Sequence, residues 1–162
     1  MTEADQIGES ALTSLRRILR VVDTHSRELA RTASLTASRL VVLKILANGP
    51  TTAGTIAERA GISQTTVTLL LNKLEAMALV RRQRSEDDRR RVWVELTPQG
   101  RAAIDKAPDL LQDVFLQRFR KLPSWEQHGI AASLSRITYL LDADALDAAP
   151  LLDVGPIDRA AT

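Results

Sequence analysis

Residues 52–74, TAGTIAERAGISQTTVTLLLNKL, decide the fold of this chain. They predict two short helices joined at Gly61, because glycine readily adopts the left-handed conformation that ends a helix. Thr52 and Ser63 precede the two helices, and both are residue types that favour the N-cap position. Two helices joined by so tight a turn form a helix-turn-helix, a layout that can offer its second helix to the major groove of DNA.

The second helix has two chemically distinct faces. Its apolar stripe recurs at helical spacing and is expected to pack in the core; it consists of Val67, Leu70, Leu71 and Leu74. On the opposite face, glutamine and asparagine can pair with adenine edges, threonine can reach bases or phosphates, and an apolar side chain can touch a thymine methyl. A solvated polar surface is the alternative. The candidate DNA contacts here are Ser63, Gln64, Thr65, Thr66, Thr68, Leu69, Asn72 and Lys73.

The sequence changes its period after Leu79. Apolar residues alternate over 92–96 and can pair with 80–83 across a polar loop, so we predict a β-hairpin that makes the motif a winged helix. Residues 81–91 contain six arginines against three acids, and the negative potential of the minor groove attracts arginine. An ordinary soluble loop is the alternative. The candidate contacts are Arg84, Arg89, Arg90 and Arg91, with Asp88 able to hold an arginine in position.

A long amphipathic helix is predicted before the winged helix. Residues 9–31 place leucines at helical spacing with arginines on the other side. Thr36 then caps the next helix, and Leu35 packs back on Leu40 as a hydrophobic staple.

The C-terminal part is predicted to be helical as well. Thr97 caps a helix expected to span residues 98–122. Ser124 and Gln127 have capping-box spacing for a last helix, whose junction Trp125 is expected to anchor.

The chain therefore divides into four parts. We predict an N-terminal dimerisation helix (1–34), a winged helix-turn-helix (35–97), C-terminal dimerisation helices (98–146) and a frayed tail (147–162). Four apolar residues of the tail could instead dock on the helical base: Leu151, Leu152, Val154 and Ile157.

The composition excludes several classes of function. With 162 residues the chain has room for one domain with appended helices. No cysteine and only two histidines argue against disulfides, thiol chemistry and zinc or multi-histidine metal sites, so we expect no cofactor. No apolar run approaches the ~18–20 residues of a membrane span, and we expect a cytoplasmic protein. An enzyme would need a nucleophile with a base or a metal, and neither His25 nor His128 has an evident partner.

Short motifs throughout residues 35–105 occur together in one known family. They are Leu35-Thr36, Gly49-Pro50, Ile56-Ala57-Glu58-Arg59-Ala60-Gly61-Ile62-Ser63, Thr66-Val67-Thr68, Leu74-Glu75, Leu79-Val80, Asp88-Arg89-Arg90 and Leu96-Thr97-Pro98-Gln99-Gly100-Arg101. In this combination the chain resembles the MarR family of winged-helix regulators. The resemblance implies a homodimeric repressor that binds a pseudo-palindromic operator and leaves it when a small aromatic or anionic effector binds. It also implies that Arg90 enters the minor groove, oriented by Asp88.

Three residues depart from the pattern of that family. Arg39 stands where the family usually has glutamine and could add a phosphate contact, as could the nearby N-caps Thr36 and Thr52. Leu69 stands where a basic residue is common, which favours an apolar contact. Ala78 replaces a frequent glycine, which implies either a left-handed alanine under strain or a different helix end.

A dimer is expected because two successive major grooves lie about 34 Å apart, a distance that a two-fold dimer spans and a single small domain does not. The interface candidates are Leu12, Leu15, Leu19, Ile130, Leu134, Ile137 and Leu141. Helices that pack only within one chain are the alternative.

Arg16, Arg20 and His25 could meet an anionic effector, although such residues are more often simply solvated. The rival function is a winged helix used for protein–protein contact without DNA.

Overall fold

The described part of the chain is mainly α-helical with one small antiparallel hairpin, which confirms the predicted fold class. The computed structural model describes residues 2–84 and 91–143. Its elements are α1 (Glu3–Ala33), α2 (Ala37–Leu46), α3 (Ala53–Ala60), α4 (Gln64–Ala76), β1 (Val80–Arg84), β2 (Val92–Leu96), α5 (Pro98–Lys106), α6 (Leu111–Phe119) and α7 (Ser124–Leu140). Among the described helices, none combines the length and apolar character needed to cross a membrane.

Side-chain caps start α2, α3 and α4 at the predicted residues. The hydroxyl–amide pairs are Thr36 with the N–H of Arg39 (3.4 Å), Thr52 with that of Thr55 (3.3 Å) and Ser63 with that of Thr66 (3.1 Å). Each cap satisfies an amide that the helix itself leaves without a partner. Gly61 has a φ of +67°, so α3 ends in the left-handed conformation that the sequence predicts.

The core of the winged helix lies where α4 packs against α2, α3 and β1. The predicted apolar stripe of α4 is buried in full. Leu40 and Leu43 of α2 and Ile56 of α3 are also inaccessible to solvent. Burial of each such side chain contributes about 1.5–3 kcal/mol, so this cluster fixes the orientation of α4.

The wing is tied to the rest of the fold through Thr51. β1 and β2 pair with Val80 opposite Leu96. The N–H of Thr51 donates to the carbonyl of Val94 (3.0 Å), and the N–H of Val94 donates to that of Thr51 (2.8 Å). No pattern in the sequence predicts this bridge, because a single paired residue between two helices does not produce the alternation typical of a strand.

α4 ends in a Schellman motif that has alanine where glycine is favoured. The N–H of Leu79 bonds to the carbonyl of Leu74 (2.9 Å), and that of Ala78 bonds to the carbonyl of Glu75 (2.9 Å). Ala78 has a φ of +58°. Of the two possibilities that the sequence left open, the left-handed alanine is therefore correct, at a strain of roughly 1–2 kcal/mol.

Thr97 joins α5 to this end of α4. Its Oγ1 donates to the carbonyl of Ala78 (2.7 Å) and accepts from the N–H of Gly100 (3.0 Å). Its own N–H donates to the carbonyl of Leu79 (3.1 Å). A Cβ atom on Gly100 would collide with that Leu79 carbonyl, so α5 approaches at a distance that only glycine permits.

α1 extends beyond the predicted residues 9–31 at both ends. Its start is set by a capping box, in which the N–H of Asp5 donates to Thr2 Oγ1 (3.2 Å) and the N–H of Thr2 donates to Asp5 Oδ2 (2.7 Å). α1 contacts α5, and over its described length its buried residues are Val22 and Leu29. The earlier start was missed because the first turns have no apolar periodicity.

The prediction of one helix over residues 98–122 is wrong. α5 ends at Lys106, Ala107 is extended (φ −75°, ψ 141°), and α6 starts only at Leu111. Pro108 is the cause, because proline disfavours helical backbone in the residue before it. Of the described residues, 2–108 form one compact unit and 109–143 form another.

The predicted capping box at Ser124 does not form. α7 begins at Ser124 itself, with Pro123 in the N-cap position and no side-chain hydrogen bond to the cap. The Nε2 atom of Gln127 donates instead to the carbonyl of Leu122 (2.9 Å), which closes the preceding turn. Trp125 is 76% exposed, so the prediction that it anchors this junction is also wrong.

Candidate nucleic-acid interface

The outer face of α4 is polar and open to solvent. Thr66 and Leu69 are half-buried at its edges. The remaining predicted contact residues of α4 and its N-cap are exposed: Ser63, Gln64, Thr65, Thr68, Asn72 and Lys73. The rigid packing of the opposite face holds this polar surface in place. Their assignment to DNA contacts stays a prediction.

Hydrogen bonds within α4 limit what its hydroxyls can read. The Oγ atom of Ser63 and the Oγ1 atom of Thr66 lie 2.8 Å apart. The hydroxyl of Thr68 donates to the carbonyl of Gln64 (2.9 Å), so towards a base it offers its methyl group and an acceptor lone pair. The side chains of Gln64 and Asn72 carry both donors and acceptors, and these are better suited to adenine edges.

The candidates at α2 and α3 lie at the starts of these helices. Thr36 and Thr52 are half-buried N-caps, and the Oγ1 atom of Thr52 also lies 3.2 Å from that of Thr55. Arg39 is half-buried in the first turn of α2. A helix N-terminus favours a phosphate through its amide groups and dipole, so backbone contacts are the role that suits this set.

The stem of the wing uses two of its arginines in ion pairs. The Nε atom of Arg81 lies 2.9 Å from Oε1 of Glu95, and Nη1 of Arg82 lies 2.7 Å from Oε2 of Glu75. The hydrogen bond to Glu95, and secondly its charge, raise the pKa of Arg81. The excess of arginine in residues 81–91 therefore overstates the charge available to DNA, because two of its members are neutralised by acids elsewhere in the sequence.

The remaining wing residues divide into two groups. Arg84 and Arg91 are exposed at the ends of β1 and just before β2. The predicted minor-groove contact Arg90, its neighbour Arg89 and the orienting Asp88 lie outside the described residues, as does the predicted tail.

The candidate effector residues on α1 do not all lie together. Arg20 and His25 line one shallow depression, whose other described lining residues are Arg17, Val21, Thr24 and Glu28. Arg16 is elsewhere: its Nη2 atom lies 3.6 Å from Oε2 of Glu9 and donates to the hydroxyl of Thr13 (3.2 Å).

The candidate interface residues leave apolar surface uncovered. On α1, Leu12 and Leu19 are 45% and 54% exposed, and Leu15 is half-buried. In the second unit, Leu134 and Leu141 are 45% and 55% exposed. Ile130 and Ile137 are half-buried. Their role in a subunit interface stays a prediction.

Known proteins share this arrangement of a polar helix followed by a wing. Residues 35–92 match the model of the MarR family. The transcriptional regulator BldR from Sulfolobus solfataricus is 28% identical, with a TM-score of 0.54 over 84% of this chain and 99% of that one. The match confirms the resemblance of these residues to the MarR family. The proteins that it resembles are transcriptional regulators, as the motifs had implied.

Two further relatives come from bacteria. An uncharacterized HTH-type transcriptional regulator of Bacillus subtilis (strain 168), YwhA, is 28% identical over 97 residues, which are 59% of this chain and 70% of the relative. BpsR of Bordetella bronchiseptica, whose DNA binding is regulated by 6-hydroxynicotinic acid, is 25% identical. It has a TM-score of 0.52 over 82% of this chain and 98% of its own.

Proposed function

We propose that this chain is a homodimeric repressor of the MarR family that binds a pseudo-palindromic operator and has no catalytic role. The observation that supports this most directly is α4, a helix buried along one side whose other side presents exposed glutamine, asparagine, threonine and lysine. In the proposed complex α4 enters the major groove. The wing reaches the adjacent minor groove with Arg90.

The dimer follows from the spacing of the DNA. Two copies of α4 must meet major grooves about 34 Å apart, which requires a second copy of the chain. The exposed leucines of α1 and α7 are the surface that this second copy would cover. Exposed apolar surface of this kind is a common mark of association.

The proposed effector is a small aromatic or anionic molecule that binds the free dimer. Arg20 and His25, in the depression on α1, are the residues that we assign to it. A coupling of about 1–3 kcal/mol would lower operator affinity by about 5–150-fold. The regulation of BpsR by a small aromatic acid supports this class of ligand.

Selection of binding sites from random double-stranded DNA tests the function. We expect an inverted repeat and an affinity that falls steeply with salt, with a logarithmic slope near 0.9 for each phosphate contacted. Arg90→Ala should weaken operator binding by about 1–3 kcal/mol, and Leu69→Ala should relax the preference at one base pair. If no sequence is enriched and the salt dependence is shallow, the chain is instead a protein–protein interaction module.

The effector is tested by titrating aromatic carboxylates into the protein–operator complex. Release by one of them, abolished by Arg20→Ala, supports the assignment. If none alters operator affinity and none binds the free dimer, the ligand-controlled switch is abandoned.

A further inference from the structure

We propose that the ion pair between Glu75 and Arg82 is a positioning device that holds the wing at a fixed angle to α4. The two elements would then read the major and minor grooves as one rigid body. This inference rests on the proposed DNA-binding function. Neither residue needs to touch DNA for it.

The pair links the last turn of α4 to the wing. Nη1 of Arg82 and Oε2 of Glu75 are 2.7 Å apart, and both side chains are partly shielded, with 28% and 40% of their surfaces exposed. A charge-assisted hydrogen bond of this length is stronger than a neutral one. The carboxyl end of a helix carries partial negative charge, which also attracts the guanidinium of Arg82.

The covalent connection between α4 and β1 does not by itself fix the angle between the hairpin and the helix. Residues 77–79 join α4 to β1, and the Schellman hydrogen bonds fix how the chain leaves the helix. Beyond that point Val80 is buried and β1 packs on α4, and the hairpin has in addition one polar anchor for each strand. The bridge from Thr51 to Val94 anchors β2, and Arg82, which pairs with Val94 in the sheet register, anchors β1 through Glu75.

The neighbouring pair of Arg81 and Glu95 serves as an internal contrast. These two residues lie opposite each other on β1 and β2, so their ion pair stays within the hairpin. It moves with the wing and cannot set the angle to α4. Two adjacent arginines therefore have different tasks, and each has a glutamate partner that can be replaced by the same substitution.

The decisive variant is Glu75→Gln, because the two explanations of its effect differ in sign. Removing a negative charge from a DNA-binding surface should strengthen binding by Coulomb attraction alone. If the pair positions the wing, operator affinity should instead fall about two- to fivefold. Binding to random-sequence DNA should not fall, and site selection should lose its preference at the flanks while it keeps the bases read by α4.

Two controls separate positioning from a loss of charge or of stability. Glu95→Gln makes the same charge change and should retain operator affinity and flank preference. Arg82→Lys keeps a cation beside Glu75 and should lose less affinity than Glu75→Gln. Operator affinity of Glu75→Gln equal to or above that of the wild type overturns the proposal, as does an equal loss in Glu95→Gln.

A second measurement requires no DNA. The chain contains no cysteine, so Glu58→Cys on α3 and Gln83→Cys on β1 give two unique sites for spin labels, both exposed. Labelled chain diluted into unlabelled chain reports the distance between the wing and the helix pair within one subunit. We expect a narrow distribution that broadens in Glu75→Gln and not in Glu95→Gln.

The two measurements fail in distinguishable ways. If the wild type selects no DNA sequence, the proposed function fails, and the label distances alone decide whether the ion pair sets the angle of the wing. An unchanged distance distribution in Glu75→Gln overturns the positioning role whatever the DNA result.

Discussion

α4 and α1 are both amphipathic helices, but they differ in how much of their apolar surface the chain covers. α4 buries four large side chains within 13 residues. α1 buries two within 31, and leaves Ile7, Leu12, Ile18, Leu19 and Val21 about half exposed or more. α4 buries its apolar stripe within a single chain, whereas α1 has apolar surface in excess of what the described fold covers.

This difference separates what stabilises the fold from what assembles it. Large-to-small substitutions in α4 should lower the free energy of unfolding of one chain. Substitutions on the exposed apolar face of α1 should instead weaken self-association. Measurements of stability and of association in variants of the two helices therefore test whether α4 stabilises the fold and α1 assembles the dimer.

The largest effect is expected for Leu74→Ala in α4. The side chain of Leu74 is fully buried, and its truncation should lower the free energy of unfolding by about 2–5 kcal/mol, through lost burial and a residual cavity. Chemical denaturation at fixed protein concentration measures this loss. A change of about 0.5 kcal/mol or less, the size expected at an exposed site, would show that α4 is not part of a tight core.

A second effect concerns association. Leu19→Asp should weaken self-association by at least about tenfold, because an interface would have to bury a charge in place of an apolar side chain. Analytical ultracentrifugation across a dilution series measures the equilibrium. Arg17→Asp changes the charge further and is the matched control on the same helix. Equal self-association of Leu19→Asp and wild type would assign the open face of α1 to solvent.

A smaller effect, of opposite sign, is expected at the end of α4. Ala78→Gly should raise the free energy of unfolding by up to about 1 kcal/mol, because glycine adopts a positive φ without the strain that alanine bears. Gly61→Ala at the end of α3 is the reciprocal change and should be destabilising. If Ala78→Gly lowers stability, the flexibility it gives the unfolded chain outweighs the strain it relieves.

The smallest effect is expected at the start of α1 and depends on pH. The hydrogen bond from the backbone N–H of Thr2, followed by that from its hydroxyl, lowers the pKa of Asp5. The cap is therefore fully formed above the pKa of an unfolded aspartate, about 3.9, and is lost as the pH falls through the lowered value.

Backbone chemical shifts of residues 3–8 report this transition. They should move towards coil values below that pH in the wild type. In Asp5→Asn they should lack this titration, and a titration that persists there would assign the pH dependence to another group.

Local patterns predicted most of the winged helix. The N-caps Thr36, Thr52 and Ser63 and the buried stripe of α4 follow from neighbours within one or two turns, which is the range over which capping and periodicity act. The break at Pro108 was also readable, because the residue before a proline avoids helical backbone. The apolar spacing of the surrounding residues favours one continuous helix, and in the prediction it was given more weight than Pro108.

Contacts between distant parts of the sequence could not be predicted in the same way. The partners of Arg81 and Arg82 are acids outside residues 81–91, so a count of charge along the chain could not find them. The exposure of Trp125 depends equally on what packs around it in space. The candidate DNA contacts were predicted from residue type and helix face, and the structure adds which hydroxyls are already engaged.

The bridge between Thr51 and Val94 has a consequence for the order of folding. It closes a loop that contains α3, α4 and β1, and the entropy of that closure must be offset before the bridge forms. The helices can gain most of their contacts from near neighbours in the chain, but the wing cannot attach until they are in place. The wing should thus be the last part of this unit to acquire protection from hydrogen exchange during refolding.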